Sequence, residues 1–168
     1  MRTLVAAIVT LAIVCLTAAA AERTTPKQVV FVCEHGNVKS LMAASYFNQL
    51  AAQRGLPWRA VSRGSMPDST TVPKLIAAAL RAEGVDVSEF RPAKVNATDA
   101  AAAARIVTIG TDLPAGVRAD EQRIERWTDV PPASAGYDAA RSSLKAHIAE
   151  LIERLSLESA GGQPDRRN

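Results

Sequence analysis

Aromatic side chains are few in this sequence: two Trp, two Tyr and three Phe, or 4% of 168 residues. Hydrophobic residues nevertheless reach 48%, and much of that total is alanine. Alanine is the strongest helix former, whereas strands draw on aromatic and β-branched residues, so this balance disfavours an all-β design. Net charge is also small. Twenty basic and 17 acidic residues leave +3, scattered rather than striped, which gives no electrostatic footprint for nucleic acid. Cysteine and histidine occur twice each, and neither a metal nor a cofactor is expected. The length suits one domain with a real core.

The N-terminus carries a short positive start, Met1-Arg2, and then an uncharged, mostly apolar run from Leu4 to Ala21. The run ends in small residues, Ala18 to Ala21, just before Glu22. This is the pattern of an export signal over residues 1–21, with release to the periplasm or the medium and no membrane contact after cleavage. The alternative is an uncleaved N-terminal membrane anchor, because the run approaches spanning length. Cleavage removes Cys15 and leaves Cys33 as the single cysteine. A lone thiol in an exported chain forms no internal disulfide and is a candidate reactive group.

Downstream, strand and helix patterns alternate. Gln28 to Cys33 is a short apolar run with β-branched residues and reads as a buried strand. A helix begins at Lys39, with Met42, Ala43, Tyr46, Phe47 and Leu50 on one face, and Gly55 with Pro57 ends it. Trp58–Ser62 reads as a second strand. Thr71 is placed to cap a helix whose stripe is Val72, Leu75, Ile76, Ala79 and Leu80. Thr98 is placed to cap a short alanine-rich helix over 99–104. Ile106–Gly110 and, more weakly, Arg123–Trp127 read as third and fourth strands. A last helix carries Leu144, Ile148, Leu151, Ile152 and Leu155, and 158–168 reads as a disordered tail. The folded domain is therefore expected over 26–157. Its fold class is α/β, a four-stranded parallel sheet wrapped on both faces as a three-layer α/β/α sandwich. Ligands in such sheets bind beyond the carboxyl ends of the strands, where Cys33 stands.

The segment Cys33-Glu34-His35-Gly36-Asn37-Val38-Lys39-Ser40 joins the first strand to the first helix. A helix N-terminus offers unpaired N–H groups and partial positive charge. A tight turn containing glycine can aim successive N–H groups at one point, and Gly36 and Asn37 suit positive φ or close backbone approach. Lys39 adds a full charge, and Ser40 can donate to the thiolate or to the loop. Residues 34–40 are thus candidates to hold a tetrahedral oxyanion facing a nucleophilic Cys33. An inert buried cysteine in a plain strand–turn–helix is the other reading.

Cys, five intervening residues, a basic residue and Ser after an apolar strand resembles the low-molecular-weight protein tyrosine phosphatase superfamily, whose fold thioredoxin-coupled arsenate reductases share. Val61-Ser62-Arg63-Gly64-Ser65 resembles its second strand and the following turn. Gly84-Val85-Asp86-Val87-Ser88 resembles its Gly-Ile-Asp-x-Ser segment, and the likeness runs from about Val29 to Leu155. The resemblance implies Cys33 as nucleophile, Lys39 with the loop amides as oxyanion clamp, and Asp129 as acid and base. It implies a phosphorylated substrate or inorganic oxyanion as partner.

The sequence departs from the family pattern in four places. Lys39 stands where the family has arginine, which replaces a planar bidentate fork by a point charge. Gly36-Asn37 lies one residue later than in the family loop. Asp129 precedes Val130 rather than proline, and Val38 replaces a second cysteine. Three functions remain: a cysteine-dependent phosphomonoesterase working through phosphocysteine, an arsenate reductase using an external thiol, and a non-catalytic oxyanion-binding pseudophosphatase. Individual residues keep alternatives as well. Asp129 can cap a turn instead, and Asp138 can act as acid or favour the N-terminus of the last helix. His35 can touch substrate, and Arg63 can supply the missing guanidinium. Trp127 can wall the site or pack beneath it, and His147 reads as structural.

Overall fold

The computed structural model describes residues 25–161. The expected export signal and residues 162–168 of the expected tail lie outside the described residues. Four strands, β1 (Lys27–Cys33), β2 (Trp58–Gly64), β3 (Ala103–Ile109) and β4 (Ile124–Trp127), form one sheet in the order β2-β1-β3-β4. All neighbouring pairs are parallel, with Cys33 opposite Gly64 and Val32 opposite Thr108. Four helices connect or follow them: α1 (Lys39–Gln53), α2 (Lys74–Ala82), α3 (Ala97–Ala102) and α4 (Tyr137–Gly161).

Alternation along β1 explains the layering, because successive side chains point to opposite faces. Val29, Phe31 and Cys33 join a core with α1, α2 and α4. Val30 and Val32 join a smaller core on the other face with Val95, Ala100, Ala103 and Ile106, covered by α3 and by Leu113, Val117 and Ala119. The expected three-layer sandwich with a four-stranded parallel sheet is what forms. Leu144, Ile148, Leu151, Ile152 and Leu155 of α4 are all buried. Each such side chain contributes about 1.5–3 kcal/mol of transfer free energy. Among the described residues no helix is long and apolar enough to cross a membrane.

Several local expectations are corrected. Thr71 does not cap α2. Pro73 occupies the N-cap without any side-chain cap, and the Thr71 carbonyl instead accepts from Asn37. Leu75 lies off the buried face at 65% exposed, leaving Ile76 and Leu80 as that helix's buried anchors. Asn96 rather than Thr98 caps α3, in a reciprocal capping box with Asp99. The alanine run then turns extended at Ala103, so β3 starts earlier than expected. Helix α4 continues to Gly161, and Ser159 Oγ lies 3.1 Å from Trp58 Nε1, so residues 158–161 are helical rather than part of a tail.

Candidate active site

The loop from Glu34 to Val38 leaves the carboxyl end of β1 and folds back against the end of β2. Its carbonyls face that way. Cys33 O accepts from the Ser65 N–H, Glu34 O from the Met66 N–H, and Gly36 O from the Ser62 hydroxyl. In a trans peptide the following N–H points opposite to its carbonyl, and the described chain has no cis bond. The N–H groups of Glu34, His35 and Asn37 therefore point away from β2, toward the β3 side. Among the described residues they find no protein acceptor, nor does Val38 N–H, while Gly36 N–H donates to Cys33 Sγ at 3.3 Å. Helix α1 then begins with no capping side chain and no acid in its first turn. The combination is an array of unsatisfied donors around one thiol, the arrangement that binds anions.

Two glycines make the fold-back possible. Gly36 has φ +76°, and a Cβ there would stand 2.6 Å from Gly64 N. A Cβ on Gly64 would stand 2.9 Å from the backbone of His35. Asn37, by contrast, does not take positive φ; among the described residues only glycines do. Its buried side chain ties the loop to the 65–73 segment through Thr71 O at 2.9 Å. Asn37 is thus a brace.

Cys33 is 3% exposed, and its Sγ lies 2.9 Å from Ser40 Oγ. Ser62 Oγ lies 2.9 Å from Ser40 Oγ and 3.0 Å from Gly36 O. Each hydroxyl has one proton. When sulfur is a thiolate it can only accept, so Ser40 donates to it, while the single Ser62 proton is shared between Gly36 O and Ser40 Oγ. The donors within reach of such a thiolate are the Ser40 hydroxyl and the Gly36 N–H.

The sulfur opens on a cavity of about 430 Å³. Its floor and one side come from Cys33, Glu34, His35, Val38 and Lys39. Ile109 and Gly110 after β3 and the Pro132–Ser134 segment close the other side. A Cβ on Gly110, whose φ is +63°, would stand 2.8 Å from Lys39 Nζ, so the ammonium rests against that glycine. Lys39 forms no ion pair among the described residues. Its charge is free for an incoming anion. A slightly larger hollow, about 470 Å³, lies under the 112–121 segment. It is lined by no cysteine, and Arg126 there is already paired with Glu121 at 3.0 Å.

The structure brings Cys33, the loop, Lys39 and Ser40 together, but not Asp129. Trp127 and Val130 are buried, whereas Thr128 and Asp129 between them are exposed. The Asp129 carboxylate is 69% exposed, lies 2.9 Å from His147 Nε2, and does not line the cavity. Asp138 is 88% exposed and paired with Arg141. Trp127 packs under the site on Phe31, with His147 stacked on its other side at 4.7 Å between centroids. Arg63 supplies no guanidinium to the cavity. It forms a bidentate pair with Asp99, with Nε 3.0 Å from both carboxylate oxygens. His35 does line the cavity, beside Asp68 and Glu34. Reading the sequence missed the parts played by Ser62, Gly64 and Gly110. A buried serine in an apolar strand was the available signal for Ser62.

Fold and loop together define a class of parallel α/β sandwiches with a cysteine-headed strand–loop–helix at a strand's carboxyl end. Residues 28–134 match the family described as Low molecular weight phosphotyrosine protein phosphatase, and the chain belongs to that family. Among solved structures, YfkJ from Bacillus subtilis is similar at 22% identity and a TM-score of 0.69, covering 81% of this chain and 98% of that one. A thioredoxin-dependent arsenate reductase from Corynebacterium glutamicum aligns at 21% identity and a TM-score of 0.67, covering 80% of this chain and 64% of that one. A low molecular weight protein tyrosine phosphatase from T. tengcongensis aligns at 22% identity and 0.62, covering 76% and 99%. At these identities the likeness speaks for the fold. No curated protein matches the chain in sequence.

Proposed function

We propose that this protein is a cysteine-dependent phosphomonoesterase that works through a phosphocysteine intermediate. The observation that carries the reading is the Cys33 sulfur, held by Ser40 and Gly36 N–H, with outward N–H groups and Lys39 around the same cavity. Cys33 attacks phosphorus. The loop amides and Lys39 hold the non-bridging oxygens, whose charge is greatest in the transition state. Export across a membrane, implied by the N-terminal residues, belongs to the same proposal. The test is hydrolysis of p-nitrophenyl phosphate by the reduced protein. Cys33→Ser is expected to abolish it, and equal turnover by that variant rejects the assignment.

A second reading is an oxyanion-binding pseudophosphatase. Two observations favour it: a point-charge lysine in place of the family arginine, and Asp129 held by His147 rather than facing the thiol. It predicts that phosphate raises the melting temperature while no ester is hydrolysed. Arsenate reduction is the third reading. Cys33 is the free cysteine among the described residues, so an external thiol must complete that reaction.

A further inference from the structure

We propose that His35, positioned by Asp68, protonates the leaving oxygen at this site, the part that the family resemblance assigns to Asp129; the inference rests on the phosphatase reading above.

The acid must share a cavity with the nucleophile. His35 does, and Asp129 and Asp138 do not. The two ring nitrogens of His35 are not equivalent. Nδ1 is shut off from solvent and has no aligned hydrogen bond, although Asp68 Oδ1 lies only 3.1 Å away, off the ring's N–H axis. The Asp68 side chain is 67% exposed, so its carboxylate is free to rotate into line. With Nδ1 buried beside that carboxylate, Nε2 is the ring nitrogen left to meet a substrate. Glu34 Oε2 lies 3.8 Å from Nε2, and Glu34 also lines the cavity. Histidine is the side chain most often placed for such a proton transfer, and the Glu34 carboxylate is turned toward solvent at 58% exposed.

The step balances as follows. The Cys33 thiolate forms the S–P bond as the P–O bond to the leaving group breaks. The departing oxygen takes the Nε2 proton of the imidazolium. Water then attacks phosphorus and gives a proton to the neutral Nε2. The S–P bond breaks, inorganic phosphate leaves, and thiolate and imidazolium are restored.

The test compares two esters, p-nitrophenyl phosphate with a good leaving group and phenyl phosphate with a poor one. An acid matters for the poor leaving group and little for the good one. His35→Gln and His35→Asn are expected to lose roughly 10²–10³-fold in kcat on phenyl phosphate and less than about tenfold on p-nitrophenyl phosphate. Asp68→Asn is expected to shift the same ratio in the same direction by less, the mark of a positioning residue. Glu34→Gln and Asp129→Asn are expected to keep the ratio of the unaltered protein. A ratio shift in either of those and not at His35 overturns the proposal, and so do His35 variants that lose both esters equally. Turnover that depends on Cys33 with an unchanged ratio at His35 rejects this inference alone. No turnover of either ester by the unaltered protein rejects it together with the phosphatase reading.

Discussion

Gly36 and Gly64 face each other across the end of the sheet with no room for a side chain on either. A Cβ on Gly36 would stand 2.6 Å from Gly64 N, and one on Gly64 would stand 2.9 Å from His35 C and O. The contact presses the loop's carbonyl side onto β2 and so turns its N–H groups toward the cavity. Gly36→Ala meets both the clash and a φ of +76°, whereas Gly64→Ala meets only the clash. Each is expected to destabilise the fold by roughly 1–3 kcal/mol, Gly36→Ala by more. Both are expected to lose the rise in melting temperature that phosphate gives. Denaturant titration and thermal melts with phosphate check this, and full phosphate protection in Gly36→Ala contradicts it.

Ser40 Oγ lies 2.9 Å from the sulfur in a fully buried position, placed to donate to a thiolate. Ser40→Ala is expected to slow alkylation of Cys33 by iodoacetamide at neutral pH by several-fold, and Ser62→Ala by less, since it acts through Ser40. Alkylation rates followed by mass spectrometry decide the point. Equal rates in Ser40→Ala and the unaltered protein contradict the role given to that hydroxyl.

The ammonium of Lys39 rests against Gly110. Lys39→Met is expected to reduce turnover by roughly 10²–10³-fold, the usual loss on removing an oxyanion-stabilising group. Gly110→Ala leaves the charge in place but pushes it aside, and is expected to weaken phosphate binding while retaining some turnover. A Gly110→Ala protein with unchanged phosphate affinity shows that the lysine does not act from that position.

Much of this was legible in the sequence. Short apolar runs with β-branched residues marked the strands, and the stripe Leu144, Ile148, Leu151, Ile152, Leu155 marked the last helix, because burial on one face leaves a periodic trace. The loop was legible because its chemistry is local: one strand end, one glycine turn and one helix start lie within eight residues. What was not legible depends on distant partners. Asp129 turns to His147, 18 residues away, and Arg63 turns to Asp99, 36 residues away. Thr71 and Thr98 both looked like caps, but Pro73 and the Asn96–Asp99 box took those places.

The Arg63–Asp99 pair is nearly closed off from solvent on the carboxylate side, at 9% exposed. Asp99→Asn leaves the guanidinium without its counter-charge and is expected to destabilise the fold by on the order of 3 kcal/mol. The shift in denaturant midpoint measures this. A change below about 0.5 kcal/mol contradicts a structural role, since that is the range of ordinary surface substitutions.

Glu83 joins α2 to α4. Burial pushes its carboxyl up, but the Lys145 hydrogen bond and charge, with Arg141 and Tyr46, hold it below its ordinary value. A depressed carboxyl contributes stability above its unfolded pKa and loses it as pH falls through the folded one. Melting temperature is therefore expected to drop on acidification below the ordinary carboxylate range, and Glu83→Gln is expected to flatten that drop. An identical acid limb in the variant contradicts the assignment.

The central claim is that Cys33 is a phosphoryl-accepting nucleophile. Steady-state hydrolysis of p-nitrophenyl phosphate by the reduced protein, with Cys33→Ser alongside, tests it most directly. Turnover by the unaltered protein and none by the variant, with both still folded and stabilised by phosphate, is the predicted result. Equal turnover by the variant, or none by an unaltered protein that is folded and binds phosphate, contradicts it.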